Sequence, residues 1–131
     1  MTSAAWALQQ AVFAALVADH TLTTLCNGRI FDAVPRGATF PYIVIGEAEE
    51  QDAGSPASEH TLSLHLWSRG NGTREIKQLA SAVRSCLDGA PLTLDGHVLV
   101  GLAFLSADYA RQSDGETYRG SLRFRALTEP N

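Results

Sequence analysis

The stretch Thr61-Leu62-Ser63-Leu64-His65-Leu66-Trp67 places a leucine at every second position. Because successive side chains of a strand point to opposite faces, this spacing predicts a β-strand whose leucines face a core and whose other side chains face away from it. Upstream, Tyr42-Ile43-Val44-Ile45 is apolar at every position, which is typical of a strand in the middle of a sheet. The two strands and the Gly/Ser/Pro-containing loop at 52–58 predict a long β-hairpin, with a mobile tip at about residues 50–59.

Downstream of this hairpin, apolar residues recur at helical spacing. The buried face of the predicted helix consists of Ile76, Leu79, Ala80, Val83 and Leu87. Two further strands, at 97–107 and 117–127, predict a second hairpin. In the first of them the side chains expected to share one face are Val98, Val100, Leu102 and Phe104, and in the second the side chains expected to face the core are Tyr118, Leu122, Phe124 and Ala126.

The N-terminal segment predicts a helix that is apolar on two sides, with Ser3 as its cap. One stripe is formed by Leu8, Ala11, Val12, Ala15 and Leu16, and a second by Trp6, Phe13 and Val17. Such a helix either packs deeply inside its own domain or hides one stripe and offers the other to a neighbouring molecule, and both interpretations stay open. Residues 19–26 predict a turn with a short helical piece.

Together these elements predict a helix followed by a hairpin, a second helix and a second hairpin. The expected fold class is α+β, an antiparallel sheet of about four long strands with two helices packed on one face. The 131 residues are expected to form a single domain, 1–131, since a chain of this length buries about two-thirds of its unfolded surface.

Composition excludes several classes of protein. The chain is 45% hydrophobic and 18% charged, which favours a globular domain over a disordered one. Its net charge of −4 argues against a nucleic-acid groove as the main binding surface. No secretory signal or membrane-spanning segment is visible. Cys26 and Cys86 are interpreted as small buried apolar residues, and a bond between them is left open.

Motifs that carry chemistry are absent from the sequence. There is no nucleophile elbow, no reactive-cysteine signature and no phosphate-binding glycine loop. The four histidines form no metal-ligand pattern and are expected at element edges or on outward faces. The acidic run Glu47, Glu49, Glu50 and Asp52 lacks the spacing of a calcium loop. We therefore predict a protein that is not an enzyme and binds no cofactor or metal.

Two surface features point instead to contacts with other proteins. Arg119, Arg123 and Arg125 lie on one face of the last predicted strand, where three cations repel one another unless anions answer them. They either pair with acids on a neighbouring strand or form a basic face that docks on another chain. Trp67, on the polar face of its strand, is either an interface anchor or a residue covered from within the chain.

A set of short motifs in fixed order resembles one protein family. The motifs are Gly28-Arg29-Ile30-Phe31-Asp32 with Val34-Pro35, Pro41-Tyr42, Leu66-Trp67-Ser68-Arg69, and Asp114-Gly115 before Thr117-Tyr118-Arg119-Gly120. In this order and spacing they resemble the tail-completion, or tail-terminator, proteins of long-tailed (siphovirus-like) bacteriophages and of gene transfer agents. The resemblance covers most of the chain.

This resemblance implies a virion structural protein without enzymatic activity. It implies a six-fold ring of identical chains at the head-proximal end of the tail, made in the bacterial host cytoplasm during assembly. The ring would cap the major tail-tube protein, stop tube polymerisation, meet the head–tail connector or adaptor, and let DNA pass without specific binding. The alternatives are a head-completion adaptor or tail-tube-related component of the same particle and, third, a small cytosolic binding module or enzyme.

Strand parity and charge then predict which residues contact the neighbouring subunit or partner. The candidates are Glu47, Glu49, Glu50, Asp52, Trp67, Arg69, Arg119, Arg123 and Arg125. The acidic residues belong to the first hairpin and the arginines mostly to the last strand, so the two groups would meet across a subunit boundary.

Overall fold

The computed structural model describes residues 3–70 and 72–131, and over these residues the chain forms three helices and five β-strands. The elements are α1 Ala4–Ala18, α2 His20–Cys26, β1 Ile30–Phe31, β2 Tyr42–Asp52, β3 Ser58–Arg69, α3 Arg74–Leu87, β4 His97–Arg111 and β5 Thr117–Pro130. The backbone N–H of Trp6 donates to Ser3 Oγ at 3.1 Å, which confirms Ser3 as the cap of α1.

The strands form one sheet in the order β1-β2-β3-β5-β4. Two antiparallel hairpins, β2–β3 and β4–β5, are joined through antiparallel pairing of β3 with β5. The predicted α+β class and the four long antiparallel strands are therefore confirmed. The wholly antiparallel description is wrong in one place, because β1 pairs with β2 in parallel over Ile30–Ile43 and Phe31–Val44.

The helices cover a single face of the sheet. Helix α1 packs against β1 and β2, α3 packs against β3, β4 and β5, and α2 packs against both other helices. The third helix was predicted only as a turn with a helical piece. It forms because the Asp19 carboxylate accepts from the N–H of Leu22 at 2.9 Å and so caps a new helix start.

The middle of the sheet is β3 and β5, not β2 as its uniformly apolar sequence predicted. Beyond its short pairing with β1, β2 has one neighbour, β3. On the helix-free face, Tyr42 of β2 packs against two neighbouring aromatic rings. Tyr42 lies 5.9 Å from the ring of Phe31 and 5.2 Å from that of Phe40, centroid to centroid.

Strand β4 departs most from its prediction. Register shifts occur between Leu99 and Gly101 and between Phe104 and Ser106. Each shift inserts a residue that has no partner and reverses the parity that follows. Leu102 and Phe104 therefore keep the core face, opposite Ala126 and Phe124, whereas Val98 and Val100 are exposed. The prediction that these four side chains share one face is wrong.

The core lies between the helices and this face of the sheet. All five apolar residues predicted for the buried face of α3 are buried, as are the four predicted for β5. Of the two apolar stripes of α1, the one containing Leu8, Val12 and Leu16 is buried, and the one containing Trp6, Phe13 and Val17 is exposed. Cys26 and Cys86 are both free thiols.

Candidate subunit interface

The helix-free face of the sheet, which we call the outer face, carries most of the charged candidates. Strand pairing aligns Tyr42, Trp67 and Arg119 in one row across β2, β3 and β5. The next row contains His65 and Ser121. Among the described residues no helix lies over these side chains, so an alternating sequence has left one whole face of the sheet to solvent or to another molecule.

The three arginines of β5 lie on this face as predicted, and one carboxylate of β4 forms ion pairs with two of them. Asp108 Oδ1 lies 3.5 Å from an Nη of Arg119, and Asp108 Oδ2 lies 3.8 Å from an Nη of Arg123. Within residues 3–70 and 72–131, no carboxylate lies within ion-pair distance of Arg125. The row is thus partly paired inside the chain and partly open.

Arg119 is held more tightly than an ordinary surface arginine. Its Nε is buried and has no hydrogen-bond partner among the described residues. The side chain as a whole is 38% exposed, so the outer atoms of the guanidinium, and not this Nε, are accessible to an acceptor from another molecule. Trp67, beside it in register, is half-buried by its neighbours in the sheet rather than by a helix.

The acidic candidates split between the two faces. Glu49 pairs in register with Thr61 on the outer face, whereas Glu50 pairs with His60 on the helix side. Asp52 has the parity of Glu50, and its Oδ1 accepts from the N–H of Gly54 at 3.3 Å. The sequence predicted that these acids form one arm, but in the structure only some of them lie on the same face as the arginines.

Arg69 lies at one end of the outer face in a cluster of its own. Its guanidinium stacks on the ring of Phe40 at 4.3 Å, and its Nε donates to Thr117 Oγ1 at 3.2 Å. The Thr117 hydroxyl donates to Asp114 Oδ2 at 2.6 Å. This bond, followed by the N–H groups of Glu116 and Thr117, lowers the pKa of Asp114 to about 2. The cluster ties β3 to the β4–β5 turn.

A hydrogen-bonded relay, which sequence analysis did not predict, crosses the outer face. Glu47 Oε1 lies 2.6 Å from His65 Nε2, and His65 Nδ1 lies 2.8 Å from Ser121 Oγ. The hydrogen bond to His65 lowers the pKa of Glu47. The register shift between Ile45 and Ala48 turns Glu47 toward the histidine, and periodicity cannot reveal such a shift.

This Glu–His–Ser order has the composition of a hydrolytic triad but not its surroundings. Ser121 is 5% exposed and lies in a strand paired on both sides. Its backbone N–H therefore belongs to the sheet ladder and is not aimed at a reacting oxyanion, as acyl transfer requires. The relay orients the side chains of Glu47, His65 and Ser121 on the outer face.

His60 also departs from the prediction that histidines lie at edges or on outward faces. It is 2% exposed on the helix side, with Nε2 2.9 Å from Thr128 Oγ1. Burial lowers its pKa, which keeps the imidazole neutral next to the core. Among the described residues no three His, Cys, Asp or Glu side chains cluster as metal ligands, and no helix is long and apolar enough to cross a membrane.

Comparison with known proteins gives consistent matches. Residues 10–129 match the family model "Tail completion protein gp17". Tail completion protein gp17 of Bacillus phage SPP1 is 26% identical over 129 residues, which span 95% of this chain and 94% of the phage protein. A chain in the solved virion of a native gene transfer agent (GTA) particle superposes with a TM-score of 0.90 at 34% identity, covering 98% of this chain and 99% of that chain.

Proposed function

The chain belongs to the tail completion protein gp17 family, and we propose that it closes the head-proximal end of a phage-like tail as a ring. The ring stops polymerisation of the major tail-tube protein and presents a surface to the head–tail connector. In this proposal the protein acts by covering surfaces and not by converting a substrate. The near-full-length similarity to a chain of a GTA virion supports the assignment to an assembled particle.

The observation that carries the proposal is the outer face. A sheet with one face packed under helices and the other lined by partly exposed arginines offers charged groups that another protein can bind. We propose that this face makes contacts through Trp67, Arg119, Arg123 and Arg125. The acidic candidates Glu47, Glu49, Glu50 and Asp52, and Arg69 at the far end, are proposed as the complementary contacts.

Charge supports a role next to passing DNA. Each chain carries a net charge of −4, so a closed ring of identical chains has a strongly negative net charge. Its arginines remain available for contacts between proteins. An acidic channel repels the phosphate backbone and prevents specific binding, which lets DNA slide. We propose that the carboxylates of the first hairpin that remain outside the subunit contact line that channel.

Deletion of the gene in the producing bacterium tests the proposal. We expect tails of uncontrolled length, or normal tubes that never join heads, seen by negative-stain electron microscopy. Re-expression of the intact chain in trans should restore joined particles. Normal particles from the deletion strain would contradict the proposal. Binding of the purified protein to filled heads but not to isolated tails would instead assign it to the head as an adaptor.

A further inference from the structure

The outer half of β2 is an open edge of the sheet. Strand β1 ends at Phe31 and pairs with β2 only through Ile43 and Val44. Among the described residues no other strand lies on that side of β2, so residues 46–52 have β3 as their one neighbouring strand. Every residue from Glu47 to Asp52 is exposed, and no other element therefore takes the place of the absent strand.

This edge presents unpaired backbone groups. At the end of the hairpin, the N–H of Ala53 donates to the carbonyl of Ala57 at 3.1 Å. Bonds to the partner strand occur at every second residue of an antiparallel strand, so the N–H and C=O groups of Ala48, Glu50 and Asp52 point away from β3. Among the described residues no loop or turn forms a hydrogen bond with these groups. A row of free N–H and C=O groups is the chemistry that binds an extended segment as an added strand.

Helix α1 places an apolar surface beside the open edge. Trp6 and Phe13 lie on its exposed stripe and are 49% and 40% exposed. An open groove of about 400 Å³ is lined by both rings, by Ile45 of β2 and by Asp32, which follows β1. A cavity of about 470 Å³ adjoins it at Trp6 and Ile45 and continues along β2 to Glu50. We call this continuous space the β2 groove, and its large exposed rings are typical of a protein contact.

The helix side of the sheet confirms that α1 does not fill the β2 groove. On this side Ala48 pairs with Leu62, and Glu50 pairs with His60. Leu62 and His60 are buried, whereas Ala48 and Glu50 are exposed. The covered part of the sheet therefore ends at β3 in this region, and one further strand beside β2 would extend it.

The charges around the β2 groove define the chemistry of its occupant. The carboxylates that line it belong to Asp32, Glu49 and Glu50, and no described lysine or arginine lines it. Glu49 points to the outer face, in one row with Arg125, so Asp32 and Glu50 are the acids of the groove itself. His60, which faces Glu50, stays neutral because burial lowers its pKa. A segment with a lysine or arginine among apolar residues is therefore complementary to the groove.

This chain does not itself supply such a segment. Of its lysines and arginines, all of them described, only Arg29 and Arg36 lie outside the helices and strands. Arg29 is already bound, since its Nε donates to the carbonyl of Pro41 at 3.0 Å. Arg36 follows Pro35, which has no N–H and so interrupts strand pairing.

The open edges of a second copy do not fit the groove either. The edge of a second β2 carries the same acids, including Glu50, and like charges on adjacent strands repel. The edge of β4 is held by its own chain, because the N–H of Gly89 donates to the carbonyl of Leu102 at 2.8 Å. Asp88 Oδ1 accepts from the N–H of Phe104 at 3.0 Å on the same edge. The occupant is therefore a segment of a different protein.

We propose that the β2 groove binds an extended segment of another protein of the particle. The segment adds to the sheet as a strand beside β2, its apolar side chains pack against Trp6 and Phe13, and a lysine or arginine faces Asp32 or Glu50. The proposal rests on the proposed function, in which the chain joins other proteins of the particle. Glu50 is one of the contact residues named there, and its position on the helix side assigns it to this groove.

Photo-cross-linking in assembled particles identifies the occupant. The photo-reactive amino acid p-benzoylphenylalanine replaces Phe13 in the chain that complements the deletion strain, and purified particles are irradiated. We expect an adduct with another virion protein, whose attached peptide, identified by mass spectrometry, has apolar residues at alternate positions and a lysine or arginine. The matched control places the same amino acid at Val98, which is 45% exposed but lies on β4 at the far side of the sheet. It should not label that peptide.

Hydrogen exchange tests for the added strand itself. An apolar contact alone would cover Trp6 and leave exchange in β2 unchanged, whereas an added strand bonds the N–H groups of Ala48 and Glu50. We expect the amides in residues 46–52 that face the open edge to exchange about tenfold more slowly in particles than in the purified protein, the effect of about one hydrogen bond.

A proline at the edge supplies a matched pair of variants. Glu50→Pro removes an N–H that faces the open edge and no bond to β3, whereas Glu50→Gln keeps the N–H and removes only the charge. We expect Glu50→Pro to lower the yield of the adduct at position 13 about tenfold and Glu50→Gln about twofold. Because the exchange experiment needs no substitution, it tests the proposal even where proline unfolds the hairpin.

Several outcomes would overturn the proposal. They are no adduct at position 13, an adduct between two copies of this chain, an attached peptide without alternating apolar residues, equal labelling of that peptide from Val98, and unchanged exchange of residues 46–52. The proposed function fails separately, through normal particles from the deletion strain. Overlong tails in that strain together with an absent adduct would remove only the strand bound in the β2 groove.

Discussion

The two faces of one sheet follow different rules in this protein. On the helix side, Leu64, Leu122 and Phe124 are almost completely buried. They stabilise the folded state because folding removes their apolar surface from water. On the outer face the same strands carry arginines, a histidine and hydroxyls held by directional bonds. The helix side therefore holds the fold together, and the outer face is available for contacts.

The largest expected effect comes from the helix side. Phe124 is 0% exposed and meets Phe104 edge-on at 5.7 Å between ring centroids. We expect Phe124→Ala to lower the free energy of unfolding by about 3–5 kcal/mol, because it leaves a cavity in a packed core. The next residue, Arg125, points to the other face, and Arg125→Ala should stay within about 0.5 kcal/mol.

Urea unfolding followed by circular dichroism measures both variants. An equal decrease in the free energy of unfolding for Phe124→Ala and Arg125→Ala would show that the outer face contributes to stability as much as the helix side does. Arg125→Ala, although folded, is expected to lower the yield of joined particles when it complements the deletion strain, which separates its role from that of Phe124.

A smaller effect is expected where the outer face is packed most closely. A Cβ on Gly46 would lie 2.5 Å from His65 Cδ2 and 2.7 Å from His65 Nε2, so Gly46→Ala must push the imidazole off its bond to Glu47. We expect a loss of about 1–3 kcal/mol, the usual range for overpacking. The measurement is the midpoint of urea unfolding.

The control for this prediction is Gly101→Ala, since a Cβ at Gly101 meets nothing within 4 Å. An alanine there should be neutral or slightly stabilising, by up to about 1 kcal/mol, because it restricts the unfolded chain. Equal destabilisation by the two substitutions would mean that loss of glycine itself, rather than displacement of His65, causes the effect at Gly46.

The difference between the faces also explains what the sequence could predict. Burial on the helix side is a local periodic signal, so the core residues of α3, such as Ile76, and those of β5, such as Phe124, followed from spacing. The sequence could not predict which face of α1 is buried, because both stripes are apolar. Packing against the sheet buries the stripe with Leu8 and leaves the stripe with Trp6 exposed.

The sequence could predict which side chains of β5 lie on the outer face, but not which side chains they contact. The alternation of β5 placed Arg119, Arg123 and Arg125 together, as the structure has them. Their partner Asp108 lies beyond two register shifts of β4, and the relay joins His65 to Ser121 across 56 residues. Register is a non-local property, and one unpaired residue reverses every side chain that follows it.

The smallest expected effect concerns the end of the outer face, and it depends on pH. Hydrogen bonds from the Thr117 hydroxyl and from two backbone N–H groups lower the pKa of Asp114 from 3.8 to about 2. A lowered pKa in the folded state means that the unfolded chain binds the proton first, so stability rises with pH across this interval and is lost as pH falls through it. Asp114→Asn removes the titrating group.

We therefore expect the stability difference between the intact protein and Asp114→Asn to be full above about pH 4 and to shrink toward pH 2. Thermal unfolding at a series of pH values measures the difference. Glu116→Gln, in the same turn, changes the net charge equally without removing the bonds to Asp114. A pH-independent difference for Asp114→Asn would mean that ionisation of the Asp114 carboxyl does not contribute to the stability of the turn. A shrinking difference would show that the carboxylate fastens the β4–β5 turn to β3, beside the arginine proposed for contacts at this end of the sheet.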